Sequence, residues 1–144
     1  MDTGGQEKYN AQNRTYYKRA DCCVLVYDIT DKDSFDAIEN FYIKEINNLC
    51  KENIKVILVG NKTDLKNKRV ISNEDGADLA TKYNFYFKET SCELNSNVAD
   101  TFETIISMTH NEMMKNKESY LAEKLDIKKV KEDNEKKFKK KKCC

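Results

Sequence analysis

Residues 55–64 read KVILVGNKTD, an apolar β-branched run that stops at Gly60 and passes directly into a polar tetrad. The run Lys55 to Val59 is the length of a buried strand and too short for a buried helix. Working outward, a second run of the same kind, CCVLVYD, lies upstream at residues 22–28. Between them, Asp31 to Ser34 supplies helix caps, and apolar residues at 35, 38, 42, 43, 46 and 49 recur at helical spacing, which predicts an amphipathic helix to about Cys50. Downstream, Ser72 to Tyr83 reads as a helix with Ala77, Leu79, Ala80 and Tyr83 inward, Phe85 to Thr90 as a third strand, and Val98 to about Met114 as a helix contacting the core through Phe102, Ile105, Ile106 and Met113. Strands alternating with crossovers of this length specify an α/β fold, a mostly parallel sheet with helices on both faces. Ligands of such sheets bind beyond the carboxyl ends of the strands, where Asn61–Asp64 and Ser91–Glu93 fall.

Composition is consistent with one globular domain: 144 residues, 39% hydrophobic, net charge +1. There is no apolar run long enough to span a bilayer, and MDTGGQEKYN has neither the basic nor the apolar region of a signal peptide, so synthesis in the cytosol is expected. The six cysteines show no CxxC spacing and the single His110 offers no zinc partner; the four internal ones are expected to be reduced thiols, with Cys22 and Cys23 packing as small hydrophobes. Residues 1–115 form the folded part, 116–142 a charged linker, and 143–144 a terminal cysteine pair.

Three short motifs carry chemistry: Asp2-Thr3-Gly4-Gly5-Gln6-Glu7, Asn61-Lys62-Thr63-Asp64 and Glu89-Thr90-Ser91-Cys92. Singly, each also fits an ordinary turn or polar loop; in this order, two of them following predicted strands, coincidence is a poor explanation. Together they resemble the DTAGQE, NKxD and ETSAK motifs of small GTPases. Tyr16-Tyr17-Lys18-Arg19-Ala20, Leu25-Val26-Tyr27-Asp28-Ile29-Thr30 and Asp33-Ser34-Phe35 are similar to segments of the Rab type within the Ras superfamily, over residues 1 to about 115. The absence of an insert between NKTD and ETSCE separates the chain from the Rho branch, and a terminal Cys-Cys separates it from Ras itself.

Guanine presents two adjacent donors, and one carboxylate accepting both rejects adenine; Asp64 is the candidate. The resemblance implies that Asn61 ties neighbouring loops, that the stem of Lys62 covers the base, and that backbone N–H groups near Cys92 meet the guanine oxygen while Ser91 supports the loop. It assigns Asp2 to magnesium through water, the Gly5 N–H to the γ-phosphate, and Gln6 to orienting the attacking water. GTP or GDP with magnesium are the implied cofactors. Three departures from the family pattern are Gly4 for alanine, Arg19 for glycine and Glu93 for lysine, the last placing negative charge beside the base loop.

The phosphate-wrapping GxxxxGK[ST] motif is not in these residues: the four glycines are Gly4, Gly5, Gly60 and Gly76, and none precedes lysine. The P-loop strand and helix and the first switch are thus expected to be lacking, these residues are expected not to bind GTP, and Cys22–Asp28 is expected to carry an open edge. Cys143 and Cys144, beside six lysines within 136–142, resemble a double geranylgeranylation site. The family implies escort and GDP-dissociation-inhibitor proteins, exchange factors, activating proteins and effectors as partners. It places the protein on the cytoplasmic face of intracellular membranes, with a cytosolic pool. A lysine tail also suits nucleic acid, but only Phe138 interleaves it, and no nucleic-acid partner is expected. The rival reading is a catalytically silent, lipidated interaction module displaying Tyr9, Tyr16 and Tyr17.

Overall fold

A computed structural model describes residues 10–52 and 54–117. The elements in order are α1 (Asn10–Arg19), β1 (Cys22–Asp28), α2 (Lys32–Ala37), a π turn (Ile38–Tyr42), α3 (Ile43–Leu49), β2 (Lys55–Asn61), a 3-10 turn (Lys66–Lys68), α4 (Asn73–Lys82), β3 (Tyr86–Glu89), and α5 over residues 98–117. One compact unit ends at Thr109, and the second begins at His110, whose described part is helical over 110–117 with His110 exposed.

The three strands pair in parallel in the order β1-β2-β3, with Leu25 opposite Leu58 and Leu58 opposite Phe87. Alternate residues of β1 and of β2 enter different cores. Leu25 and Tyr27 join Ile38, Ile43, Ile46, Val56, Leu58 and Leu79 beneath α2, α3 and α4. Ile57 and Val59, with Cys22 and Val24 beside them, pack on Ile105 and Met108 of α5. Both faces of β2 are buried, as in a parallel sheet covered by helices on both sides.

Local sequence explains most boundaries. Asp31 caps α2 by accepting the Asp33 N–H at 3.0 Å, and Ser34 Oγ accepts the Asp28 N–H at 3.0 Å, locking the β1–α2 corner. Ser72 and Asp75 form a reciprocal capping box on α4. Gly76 of α4 and Gly60 of β2 both lie against Tyr27: a Cβ at Gly60 would come 2.8 Å from the Tyr27 hydroxyl, so the ring's seat requires glycine.

Four expectations need correcting. Gly60 does not stop β2, which continues through Asn61 because Asn61 still pairs with Asp28 of β1 and its carbonyl accepts the Ile29 N–H at 3.1 Å. The helix after β1 is broken by the π turn, whose wider turn brings Ile43 onto the same buried side as Ile38. No element is predicted before Cys22, yet α1 forms there, and Tyr17 of that helix packs against the larger core instead of being displayed; Tyr16 is exposed. Finally, Ile105 is buried but Phe102, Ile106 and Met113 are exposed. Helical spacing alone cannot tell the flank of α5 that meets the three strands from the flank beside it.

Cys22, Cys23, Cys50 and Cys92 are free thiols. Burial, then the neighbouring Cys50 and Cys22, pushes the Cys23 thiol up to about 12, which leaves it unreactive at neutral pH.

Candidate functional site: two loops at the carboxyl ends of β2 and β3

The chain leaves β2 at Asn61 and turns sharply, because Lys62 adopts a left-handed backbone with φ 70°. Few side chains take that conformation without local compensation. Here the Lys62 ammonium lies 2.6 Å from Asp28 Oδ2, at the end of the adjacent strand. Asp28 also accepts from the Thr30 N–H at 2.8 Å and the Thr30 hydroxyl at 2.7 Å. Burial pushes the Asp28 carboxyl up, but the bonds from Lys62 and Thr30 outweigh it and hold it below the usual carboxylate range. The same contact raises Lys62.

The loop after β3 is fastened to the first at several points. Thr63 donates its N–H and its hydroxyl to the Thr90 carbonyl, each at 3.1 Å. Thr90 Oγ1 donates to Asn61 Oδ1 at 3.1 Å, and the Asn61 carbonyl accepts from the Ile29 N–H at 3.1 Å, so Asn61 touches both neighbouring segments. Ser91, fully buried, donates its hydroxyl to Asp64 Oδ1 at 2.5 Å and accepts the Leu94 N–H at 3.1 Å. Mutual backbone bonds between Ser91 and Ser96 close the second loop, and Asn95 and Asn97 take the left-handed turns that asparagine tolerates. Cys92 and Glu93 stand exposed on this loop.

The structure therefore brings Asn61, Lys62, Asp64, Ser91, Cys92 and Glu93 onto two adjoining loops. Asp64 is half-buried and each carboxylate oxygen has two lone-pair positions, so the Ser91 bond leaves acceptor capacity free. Asp2, Gly5 and Gln6, and the terminal Cys143 and Cys144, lie outside the described residues. Among the described residues no group of acidic, histidine or cysteine side chains is arranged to hold a metal ion.

Comparison with known proteins draws on a longer stretch of sequence than these loops. The Ras family sequence model matches residues 1–111. The Ras-related protein Rab11A of Lotus japonicus is 40% identical over 122 residues, which are 85% of this chain and 53% of that protein. The chain is a Rab-type member of the Ras family. Ras-related protein Rab-3C of Bos taurus is 40% identical over 118 residues (82% of this chain, 52% of that protein), and Rab-3A of Homo sapiens 39% over 112 residues (78% and 50%). The Rab-type chain spans about half the length of these curated relatives.

Sequence reasoning passed over Asp28 and Thr90 in this Rab-type chain. A usable signal existed for Asp28: it closes a strand whose parallel neighbour ends at Asn61, and the register pairs the two. Thr90 stands in the Glu89–Cys92 motif without a role of its own, whereas its carbonyl and hydroxyl join the loops. No described helix is long and apolar enough to cross a membrane.

Proposed function

We propose that this chain carries the guanine-recognition half of a Rab-type GTPase switch of vesicle traffic. The observation that supports this most directly is Asp64, half-exposed above the two joined loops with its carboxylate oriented by the buried Ser91 hydroxyl. A carboxylate held this way accepts the N1 and N2 hydrogens of guanine, and the same carboxylate meets no matching donors on adenine. Asn61 keeps the two loops in register, the Lys62 stem lies along the base while Asp28 holds its ammonium, and backbone N–H groups near Cys92 reach the guanine oxygen. Glu93 adds negative charge beside that loop and weakens the base contact.

The triphosphate end rests on Asp2 for magnesium, Gly5 for the γ-phosphate and Gln6 for the attacking water, roles that the family supplies. The 144 residues contain no GxxxxGK[ST], and most of the nucleotide's charge resides on its phosphates. By themselves these residues hold GTP too weakly to measure. A titration of the folded 144-residue chain with a fluorescent GTP analogue checks this: no saturation is expected, and micromolar or tighter binding overturns it.

Membrane attachment follows from geranylgeranylation of Cys143 and Cys144 beside the polybasic segment, with two chains anchoring where one binds marginally. Escort and dissociation-inhibitor proteins, exchange factors, activating proteins and effectors are the partners in this reading, on the cytoplasmic face of intracellular membranes. Mass spectrometry of the cellular protein showing both cysteines unmodified refutes the anchor. A second reading, which applies only to the 144-residue polypeptide taken alone, is a catalytically silent lipidated module. Sequencing the 5′ end of the transcript separates the two: an in-frame GxxxxGK[ST] upstream supports the switch, and a stop codon immediately before Met1 supports the silent module.

A further inference from the structure

Both loops of the candidate site converge on Glu89, the last residue of β3. Its carbonyl accepts from Asn97 Nδ2 at 2.9 Å, which closes the second loop. Its carboxylate receives the far end of the first loop: Arg69 Nη1 donates to Oε1 at 2.6 Å and Nη2 to Oε2 at 3.0 Å. The next two residues, Thr90 and Ser91, hold Asn61, Thr63 and Asp64 at the near end. Residues 61–71 are therefore fastened to residues 89–97 at two seams, one through Thr90 and Ser91, the other through Glu89.

The second seam rests on one side chain. Arg69 Nη1 also donates to the Ile71 carbonyl at 3.1 Å, so a single guanidinium group spans its own loop and β3. Backbone bonds of residues 65–71 run within that loop or to the Ile29 carbonyl, on the β1 side. The Arg69 and Glu89 side chains are 26% and 17% exposed, against 56% and 47% for the Lys51–Asp21 pair. Exposed ion pairs constrain little, whereas a forked pair partly withdrawn from water fixes both distance and angle.

We propose that Arg69 is a positioning residue for guanine recognition. It touches no nucleotide. By gripping Glu89 it sets the spacing between Asn61–Asp64 and Ser91–Glu93, and that spacing decides whether Asp64 and the N–H groups near Cys92 meet one base together. A loop free to pivot at this seam satisfies one edge of the base at a time and loses discrimination between guanine and adenine. This inference rests on the guanine reading above.

The test presents the 144-residue chain with guanosine or adenosine at millimolar concentration and follows saturation-transfer NMR, which reads contacts far weaker than a fluorescence titration reaches. The parent is expected to favour guanosine. Arg69→Lys keeps the charge and loses the fork, and should reduce that preference about threefold or more. Glu89→Gln, which removes the charged acceptor of the same fork, should act in the same direction. Ile46→Val trims the larger core and supplies a folded comparison of lowered stability; it should keep the parent's preference. Without ligand, Arg69→Lys should speed hydrogen exchange at the Leu94 and Ser96 amides, relative to those of β2, more than Ile46→Val does. A preference that survives both Arg69→Lys and Glu89→Gln, an equal loss in Ile46→Val, or unchanged loop exchange overturns the positioning role and leaves the guanine reading in place. A parent with no preference for guanosine overturns the guanine reading and the positioning role with it.

Discussion

Replacing Ser91 with alanine tests whether the candidate site is held together as the structure describes. The Ser91 side chain is fully buried and makes two bonds that alanine cannot: its hydroxyl donates to Asp64 Oδ1 at 2.5 Å and accepts from the Leu94 N–H at 3.1 Å. A bond to a charged acceptor contributes about 1.5–3 kcal/mol and a neutral one about 0.5–1.5 kcal/mol. Asp64 is half-exposed, and water replaces part of its lost partner, which favours the low end of the first range. The Leu94 N–H loses its acceptor inside the second loop. A net loss of about 2 kcal/mol results, the two terms being coupled through one oxygen. With a urea slope of roughly 1–2 kcal/mol/M, the midpoint falls by about 1–2 M at unchanged slope. Hydrogen exchange at Leu94 should accelerate more than exchange in β2. Asp64→Asn keeps an oxygen that accepts from Ser91, so it should cost less than half as much, while removing the charged acceptor proposed for guanine. A Ser91→Ala midpoint within 0.3 M of the parent, or unchanged Leu94 exchange, would show that the loops are fastened in another way.

Other expectations follow from neighbouring groups. The Tyr27 hydroxyl is buried without a hydrogen-bond partner among the described residues, so Tyr27→Phe should stabilise the fold by about 1 kcal/mol and lessen the cost of Gly60→Ala; a destabilised Tyr27→Phe in thermal melts contradicts this. Arg69 Nη1 and Nη2 meet Glu89 Oε1 and Oε2 at 2.6 and 3.0 Å, and Nη1 also reaches the Ile71 carbonyl at 3.1 Å. Lysine cannot make this fork, so Arg69→Lys should lose about 1–3 kcal/mol in chemical denaturation, and parent-like stability speaks against the pair's importance. Asp28 has a lowered pKa in the folded state, so its contribution is present above the unfolded carboxylate pKa near ~3.9 and is lost as pH falls through the folded value. Stability measured from pH 6 downward should therefore decline less steeply below about pH 4 in Asp28→Asn than in the parent; identical slopes exclude Asp28 as a contributor.

The alternation of strands and helices, the parallel pairing, and the placement of NKTD and ETSC at the carboxyl ends of two strands were all readable from the residues alone. These were legible because apolar runs such as KVILV and capping residues such as Ser72 act over a few residues. Family membership was likewise legible, since Asn61, Lys62 and Asp64 stand together in one short motif. Only the tertiary structure decided that Asp28 holds Lys62, that Thr90 fastens Asn61 and Thr63, and that Ser91 orients Asp64. These pairs come from segments separated along the chain and meet only through the register of adjoining strands. It also decided which apolar residues remain outside. Phe102 and Ile105 belong to the same helical pattern in sequence, yet one is exposed and the other buried. Burial depends on how far the sheet extends beneath the helix, and the described sheet ends at β1. Periodicity records which residues could face a core; the width of the surface under them determines which ones do.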